Sequence, residues 1–325
     1  MKPIIEPVDK ELLKAELTEE TFLRNTNRAG NQIHVVDAQN APHVLREIGR
    51  LREIAFRDGG GGTGKELDID KFDTDPAFGY KQLIVWNPED ECIVGGYRYA
   101  LCDQALFDYY GQPVLTSSHL FKFSRKFLKK YFLNTVELGR SFVNVDYQGT
   151  KAGSKSIYAL DNLFDGLGAL MVLYKDRAHY MFGKMTIYPS FNKEALAMIL
   201  YFLDKHFGVK NESLVTPKKA FSMGNSRRFK KILTADDFTE DYKILKAEVH
   251  KLGENIPPLV NSYMNLSPTM KIFGTAINDE FGDVLDTGLL IDFEEIKPEK
   301  KHRHAHMPDL DLKRLLAKLR RKNAV

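Results

Sequence analysis

The sequence predicts a mixed α/β fold, a central sheet flanked by helices. Short runs rich in β-branched and aromatic residues alternate with segments whose apolar residues recur at helical spacing. Two of the runs, 80–86 and 92–100, are separated by the turn sequence Asn87-Pro88-Glu89-Asp90 and read as a hairpin. A strand over 136–145 feeds a Gly-containing turn and then a long helix over 154–174.

Residues 10–22 read as a short amphipathic helix and 33–36 as a strand. A stronger helix covers 41–56, with Leu45, Ile48, Leu51 and Ala55 at helical spacing. A glycine run at 59–64 and an aspartate-rich loop up to Gly79 lead into the hairpin. Ile157, Leu160, Phe164, Leu167 and Met171 form one stripe of the 154–174 helix. A strand over 180–188 is stopped by Pro189, and a helix follows over 193–206. Residues 208–255 are polar and weakly helical, an insertion or cover, after which 270–276 and 284–291 return to strand character. The expected organisation is a single α/β domain over 1–300 with a helical insertion at about 208–255, and a basic extension over 301–325.

The 325 residues, 43% of them apolar, suffice for a sizeable core. No apolar run approaches the ~20 residues that span a bilayer. The N-terminal residues lack the apolar stretch of a signal peptide. Cys92 and Cys102 form no Cys-x-x-Cys pair, which fits a reducing compartment and a cytoplasmic protein. Charge is uneven. Residues 297–325 carry ten Lys or Arg against three Asp or Glu, a net of +7, so the rest of the +3 chain sums to −4. Within that tail Leu312, Leu315, Leu316 and Leu319 fall at i, i+3, i+4 and i+7 among basic residues. This is a basic amphipathic helix, suited to an anionic membrane surface, to an acidic carrier protein, or simply to solvent.

The most informative stretch is Glu137-Leu138-Gly139-Arg140-Ser141, followed by Gln148-Gly149-Thr150-Lys151-Ala152-Gly153-Ser154 and the long helix. Such a joint aims backbone N–H groups and a helix dipole at one point, a place for phosphate. With its surroundings the stretch resembles the ornithine-lipid and glycine-lipid type of N-acyltransferase, the "haemolysin-like" branch of the GNAT superfamily, related to acyl-homoserine-lactone synthases. The Glu-Leu-Gly-Arg-Ser run carries the match. Arg52-Glu53-Ile54-Ala55-Phe56, the acidic loop with Asp68, Asp70 and Asp73, Gly95-Gly96-Tyr97-Arg98, Tyr180-Met181-Phe182-Gly183, the run from Pro257 to Tyr263 and Phe281-Gly282-Asp283 extend it over about 33–291.

The resemblance implies a GNAT-like fold and transfer of a 3-hydroxyacyl chain from a thioester to the amine of a small amino acid, glycine or ornithine, in aminolipid synthesis. Gln148, Lys151, Gly153 and Ser154 resemble the pyrophosphate loop of the superfamily. Lys151 stands where its first Gly is expected, which favours acyl-carrier protein over coenzyme A as donor. No bound cofactor or metal is implied.

Amide formation from a thioester needs a neutral amine, donors for the oxyanion and a proton for the leaving thiolate. Glu137 is placed to take the amine proton; its other reading is a structural partner of Arg140 or Arg98. Arg140, Arg98 and Arg52 suit a substrate carboxylate. Asp70 and Asp73 suit its ammonium, and the same residues suit a salt-bridge network. Ser141 is a hydrogen-bonding candidate for the pantetheine arm or a plain turn residue. Phe142, Leu167, Phe182 and Met185 are candidates for an acyl groove or for ordinary core.

Other signals carry less. Residues 59–65 nearly match a phosphate loop, but Glu66 replaces its Ser/Thr and a helix precedes it, so a flexible lid is expected. His302, His304 and His306 sit in the basic tail without the setting of a metal site. Cys92 and Cys102 with His119 suggest a cysteine acyltransferase, but Cys92 falls inside a predicted strand. The acidic body has no nucleic-acid motif. The rivals are lactone synthesis, acetyl transfer from coenzyme A, and a non-catalytic membrane-binding protein. Enzyme and product suit the cytoplasm, with a peripheral place on the inner face of the membrane.

Overall fold

The computed structural model describes residues 1–149, 152–210, 212–224 and 226–306, without the side chains of Ser154 and Arg227. Lys151 and the amphipathic stretch at 312–321 therefore lie outside the described residues. The helices are α1 (Lys10–Glu16), α2 (Pro42–Asp58), α3 (Lys71–Thr74), α4 (Arg125–Lys130), α5 (Ser154–Leu173), α6 (Lys193–Phe207), α7 (Phe238–Lys251), α8 (Pro258–Met264) and α9 (Pro298–Ala305). The strands are β1 (Phe22–Asn25), β2 (Gln32–Val36), β3 (Lys81–Asn87), β4 (Cys92–Leu101), β5 (Phe121–Phe123), β6 (Thr135–Val143), β7 (Tyr180–Ile187), β8 (Val215–Pro217), β9 (Lys271–Asn278) and β10 (Val284–Asp292). The predicted α/β architecture holds.

Two compact units form: Met1–Leu106 with Leu133–His179 and the chain from Lys297, and Phe107–Phe132 with Tyr180–Ile296. In the first, strands run in the order β1-β2-β3-β4-β6, each antiparallel to its neighbour. Helix α5 lies on the face bearing Leu83 and Gly95: a Cβ on Gly166 would come within 2.8 Å of Leu83, and one on Gly95 within 3.5 Å of Leu163. This packing accounts for a helix apolar and long enough to cross a membrane, since over half of it is buried in protein. The buried stripe starts only after the first turn, however, for Ile157 is 68% exposed.

Helix α2 serves the opposite face. Leu45, Ile48 and Leu51 are buried, as the periodicity predicts, while Ala55 is half-buried; Val44 and Phe56 are buried as well, and so are Arg52 and Glu53. Pro42 fits the first turn, where its missing N–H costs nothing. Ala41 has no capping side chain, and Glu16 substitutes for it, accepting from His43 N at 3.1 Å and Val44 N at 2.9 Å. That use of Glu16 marks where α1 stops. The expected helix over 10–22 instead breaks there, and β1 follows, pairing with β2.

Two expectations are corrected. The glycine loop at 59–65 is not a free lid: the buried carboxylate of Glu53 accepts from Thr63 N, Thr63 Oγ1 and Gly64 N at 3.0, 2.7 and 2.8 Å. Burial pushes the Glu53 carboxyl up, and the Thr63 and Arg57 bonds outweigh it, leaving it below its ordinary value. Nor does a separate tail begin at 301. Helix α9 crosses that position and packs on α5, with His304 buried and its Nδ1 2.8 Å from Asp165 Oδ1. Arg24 Nη1 donates to the His304 carbonyl at 3.2 Å.

In the second unit β7, β10 and β9 are antiparallel neighbours. Phe182 centres an aromatic core, with ring centroids 5.4–6.2 Å from Phe121, Phe123, Phe127 and Phe273. The stretch expected to be a helical cover holds α7 but also β8, which pairs with β5.

The α5–α9 contact can be tested directly. A Cβ on Gly168 would lie 2.2 Å from the His304 carbonyl oxygen, a backbone atom with no rotamer to escape into. Gly168→Ala is expected to destabilise the protein by about 2 kcal/mol, read as a lowered midpoint in denaturant unfolding.

Candidate active site

Strand pairing puts one row of polar side chains on the α2 face of the first unit. Gln82 lies opposite Arg98, Arg98 opposite Gly139, and Ala100 opposite Glu137. Residues two apart on a strand share a face, so Gln82, Arg98 and Glu137 project together. Helix α2 adds Arg52, the loop into α3 adds Asp68 and Asp70, and α3 itself adds Asp73.

Asp73 is the hub. Its Oδ1 accepts from Arg52 Nη1 at 3.2 Å and Gln82 Nε2 at 3.0 Å. Its Oδ2 accepts from Arg98 Nη1 at 3.1 Å and Asp70 N at 3.1 Å. Arg52 Nη2 also donates to Gln82 Oε1, and Arg98 Nη1 donates to Asp70 Oδ2 at 2.9 Å. Asp70 and Asp73 double as the capping box of α3, which fixes the loop geometry. Burial pushes the Asp73 carboxyl up, but the Arg52 and Arg98 guanidiniums outweigh it and hold the pKa at about 2. Burial likewise pulls Arg98 down, and Asp73, Asp70 and Asp68 outweigh it and raise it.

Glu137 is 1% exposed, on β6. Of the arginines expected beside it, Arg98 turns to Asp70 and Asp73, and Arg140 Nε lies 2.8 Å from Asp68 Oδ2. The Tyr80 hydroxyl donates to Glu137 Oε2. The ring of Tyr80 is held edge-on by Phe72 and Phe78, with Arg98 over its face 5.5 Å from the centroid.

The backbone of β6 explains how Arg140 reaches Asp68 on this face, since in a regular strand it would point away from Glu137. Gly96 pairs with Phe142 and Arg98 with Gly139, so two residues, Arg140 and Ser141, oppose Tyr97 alone. This is a β-bulge, with Arg140 at φ 49, a left-handed conformation that costs an L-residue about 1 kcal/mol. Gly95 and Gly96 permit the close strand approach around it, since a Cβ on either would come within 2.5 Å of Phe142 O or 2.7 Å of Leu83 O. Gly139, Arg140 and Ser141 are half-buried, while the four residues before them are buried. The network thus reaches solvent at two ends, the Arg140 side chain (16% exposed) and Asp70 (29%).

Beyond β6 the chain enters the loop to α5. Gln148 folds back, its Nε2 donating to Val143 O at 2.6 Å. Gly149 and Gly153 have φ of 66 and 54. Helix α5 starts with no side-chain cap and no acidic residue in its first turn, leaving a favourable end for an anion. Lys155 is taken, its Nζ 2.7 and 2.6 Å from the two Asp90 oxygens. Lys151 and the Ser154 side chain are among the parts not described.

The acyl-groove candidates are buried in packed interior: Phe142 at 4% exposure and Leu167 at 2% in the first unit, Phe182 and Met185 at 1% in the second. Phe182 belongs to the aromatic core. Cysteine chemistry gains no support. Burial pushes the Cys102 thiol well up and raises Cys92 too, and Cys92 Sγ contacts Tyr147 Oη at 3.3 Å. His119 Nδ1 is engaged with the Thr116 carbonyl.

Sequence reasoning missed Tyr80, Gln82 and the place of Asp68. The available signal was Gln82, one amide inside the apolar run of β3, with Tyr80 two residues before it on the same face.

The Asp73 hub sets a pH dependence. Its folded pKa lies below the ordinary 3.8, so its contribution to stability is complete above about pH 4 and is lost as pH falls toward about 2. Asp73→Asn is expected to flatten that part of the stability curve and to cost about 3 kcal/mol at neutral pH, since it strands Arg52 and Arg98; urea unfolding across this pH range reads both.

Residues 51–156, the stretch that carries this network, match the acetyltransferase (GNAT) domain family. Over 307 residues the chain is 57% identical to a glycine N(alpha)-acyltransferase of Phocaeicola vulgatus, covering 94% of this chain and 93% of that protein. It is 58% identical over 305 residues to a glycine N(alpha)-acyltransferase of Bacteroides thetaiotaomicron, covering 94% and 90%. No solved structure matches it. With the acidic loop, the bulged strand and the strand–loop–helix joint all inside the matched region, the chain belongs to this family of GNAT-type N-acyltransferases.

Proposed function

We propose that this enzyme transfers a 3-hydroxyacyl chain from the phosphopantetheine thioester of acyl-carrier protein to the amino group of glycine, giving an N-acylglycine for aminolipid synthesis. The observation that carries the reading is Glu137, a buried carboxylate hydrogen-bonded by Tyr80, three residues before the half-exposed bulge of β6. The names of the two relatives support glycine. So does the crowding: Arg52, Asp73 and Gln82 are closed off, leaving only Arg140 and Asp70 near solvent to meet a carboxylate and an ammonium.

Glu137 takes a proton from the glycine ammonium, directly or through one water, and the amine attacks the thioester carbon. As the C–N bond forms, the carbonyl oxygen gains charge beside the bulge, where Ser141 and irregular strand backbone supply donors. The nitrogen gives up its second proton as the C–S bond breaks; of the two protons it loses, one reaches the thiolate through Glu137 and Tyr80 and the other is released to solvent. The α5 N-terminus suits the single phosphate of the arm, and the Lys151 substitution supports carrier protein over coenzyme A. The basic stretch at 312–321 would serve a carrier protein or an anionic membrane.

The test is turnover of purified protein with matched 3-hydroxyacyl-carrier protein and 3-hydroxyacyl-coenzyme A, following free thiol and N-acylglycine by mass spectrometry. Thiol release should require glycine, with kcat/KM about tenfold or more higher on carrier protein, a difference of ~1.4 kcal/mol. Thiol release that ignores glycine would overturn the reaction; equal use of coenzyme A would overturn the donor. Glu137→Gln should lower kcat by about 10²-fold or more at an unchanged melting midpoint. Arg140→Ala should act chiefly by raising KM for glycine. Full activity in both variants would remove the site assignment.

A further inference from the structure

Within the second unit, residues 107–132 form a piece of unusual surface chemistry. Phe107 bridges Pro113 across a tight turn. Asp108 closes it: its Oδ1 accepts from Tyr110 N at 2.9 Å and Gln112 N at 2.8 Å, and its own N–H donates to Gln112 O at 2.8 Å. At the tip stand Tyr109 and Tyr110, 95% and 84% exposed, their rings edge to face 5.4 Å apart. A turn this well bonded holds its tyrosines outward instead of letting them fold onto the core.

The tip is fastened to a cationic helix. Gln112 Nε2 donates to Phe123 O at 3.1 Å, and Phe123 N donates to Gln112 Oε1 at 2.9 Å. Phe107 also stacks edge-on against Phe132, 5.5 Å away, just past α4. Helix α4 buries Phe127 and leaves Arg125, Lys126, Lys129 and Lys130 exposed. Among the 26 residues of the piece there are five Lys or Arg and one acid, Asp108, which the turn consumes.

We infer that this piece is a membrane-docking surface: Tyr109 and Tyr110 enter the headgroup region of an anionic bilayer while α4 meets its phosphates. Tyrosine suits that depth because the ring is apolar and the hydroxyl stays wet. Clustered cations add attraction to an anionic leaflet. An acidic protein would satisfy α4 equally well, but it gives no reason for two tyrosines held at a projecting tip. The surface is made by residues other than the basic stretch at 312–321, and it stands whichever thioester and amino acid the enzyme uses.

Sedimentation of the full chain with phosphatidylglycerol–phosphatidylcholine vesicles, and with phosphatidylcholine vesicles alone, tests it. Binding is expected on the anionic vesicles and should weaken in high salt. Tyr109→Ser/Tyr110→Ser should lower the partition coefficient by about tenfold, with an unchanged melting midpoint, because neither side chain is packed. Tyr110→Trp should give blue-shifted emission on the anionic vesicles only. Failure of the wild type to bind, equal binding by the double variant, or loss of turnover on acyl-carrier protein without loss of vesicle binding would each overturn the inference. The last would identify the surface as a carrier-protein dock. Vesicle binding is measured without substrates, so its failure leaves the acyl-transfer reading intact.

Discussion

The Asp73 carboxylate, fully enclosed between two guanidiniums, is the constraint from which the active face follows. Burying an ion is costly unless its hydrogen-bonding sites are filled. Here both oxygens accept two bonds each, from α2, β3, β4 and the cap of α3. Four segments remote in sequence are thereby held to one carboxylate, and none can shift without stranding a charge. The same bonds keep Arg52 and Arg98 aligned, and Arg98 in turn lies over the Tyr80 ring. Amide formation from a thioester needs such a fixed frame, because small displacements cost large factors in rate.

On this frame the bulge of β6 separates two tasks. Glu137 stays inside, with Tyr80 for its partner. Arg140, displaced by the extra residue and turned to Asp68, marks the half-exposed end. A regular strand would have turned Arg140 to the face opposite Glu137 and away from Asp68. One extra residue resolves this at the cost of one left-handed arginine. The two glycines of β4 opposite the bulge leave room for the closer approach.

An acyltransferase whose product is an amphiphile has a second requirement, release into a bilayer instead of water. Under the inference drawn from residues 107–132, the tyrosine tip and α4 would meet it. Gln112 bonds the turn to β5 by both its amide ends, so the aromatic and cationic halves keep a fixed spacing. Rigidity at this surface lowers the entropy lost on docking.

The sequence by itself determined the α/β class, because period-2 and period-3.6 patterns are local and survive without tertiary information. The hairpin of β3 and β4, the helices α2 and α5 and the strands β6, β7 and β10 could be read that way. The Glu-Leu-Gly-Arg-Ser run and the arginines and aspartates that gather around it were legible through the family resemblance they carry. What only tertiary structure decided was pairing. Glu137 accepts from Tyr80, and Arg98 and Arg140 meet the aspartates of the acidic loop, because strand register and a single bulged residue set which side chains meet. The glycine loop is pinned because Glu53, a residue that a helical pattern leaves unspecified, turns inward to hold it. His304 is buried because α9 lies on α5, a contact between residues more than a hundred positions apart that no local pattern encodes. Strand β1, and the β5–β8 pair, also escaped notice, for segments of three or four residues carry too little periodicity to announce themselves and form only because a partner lies across from them.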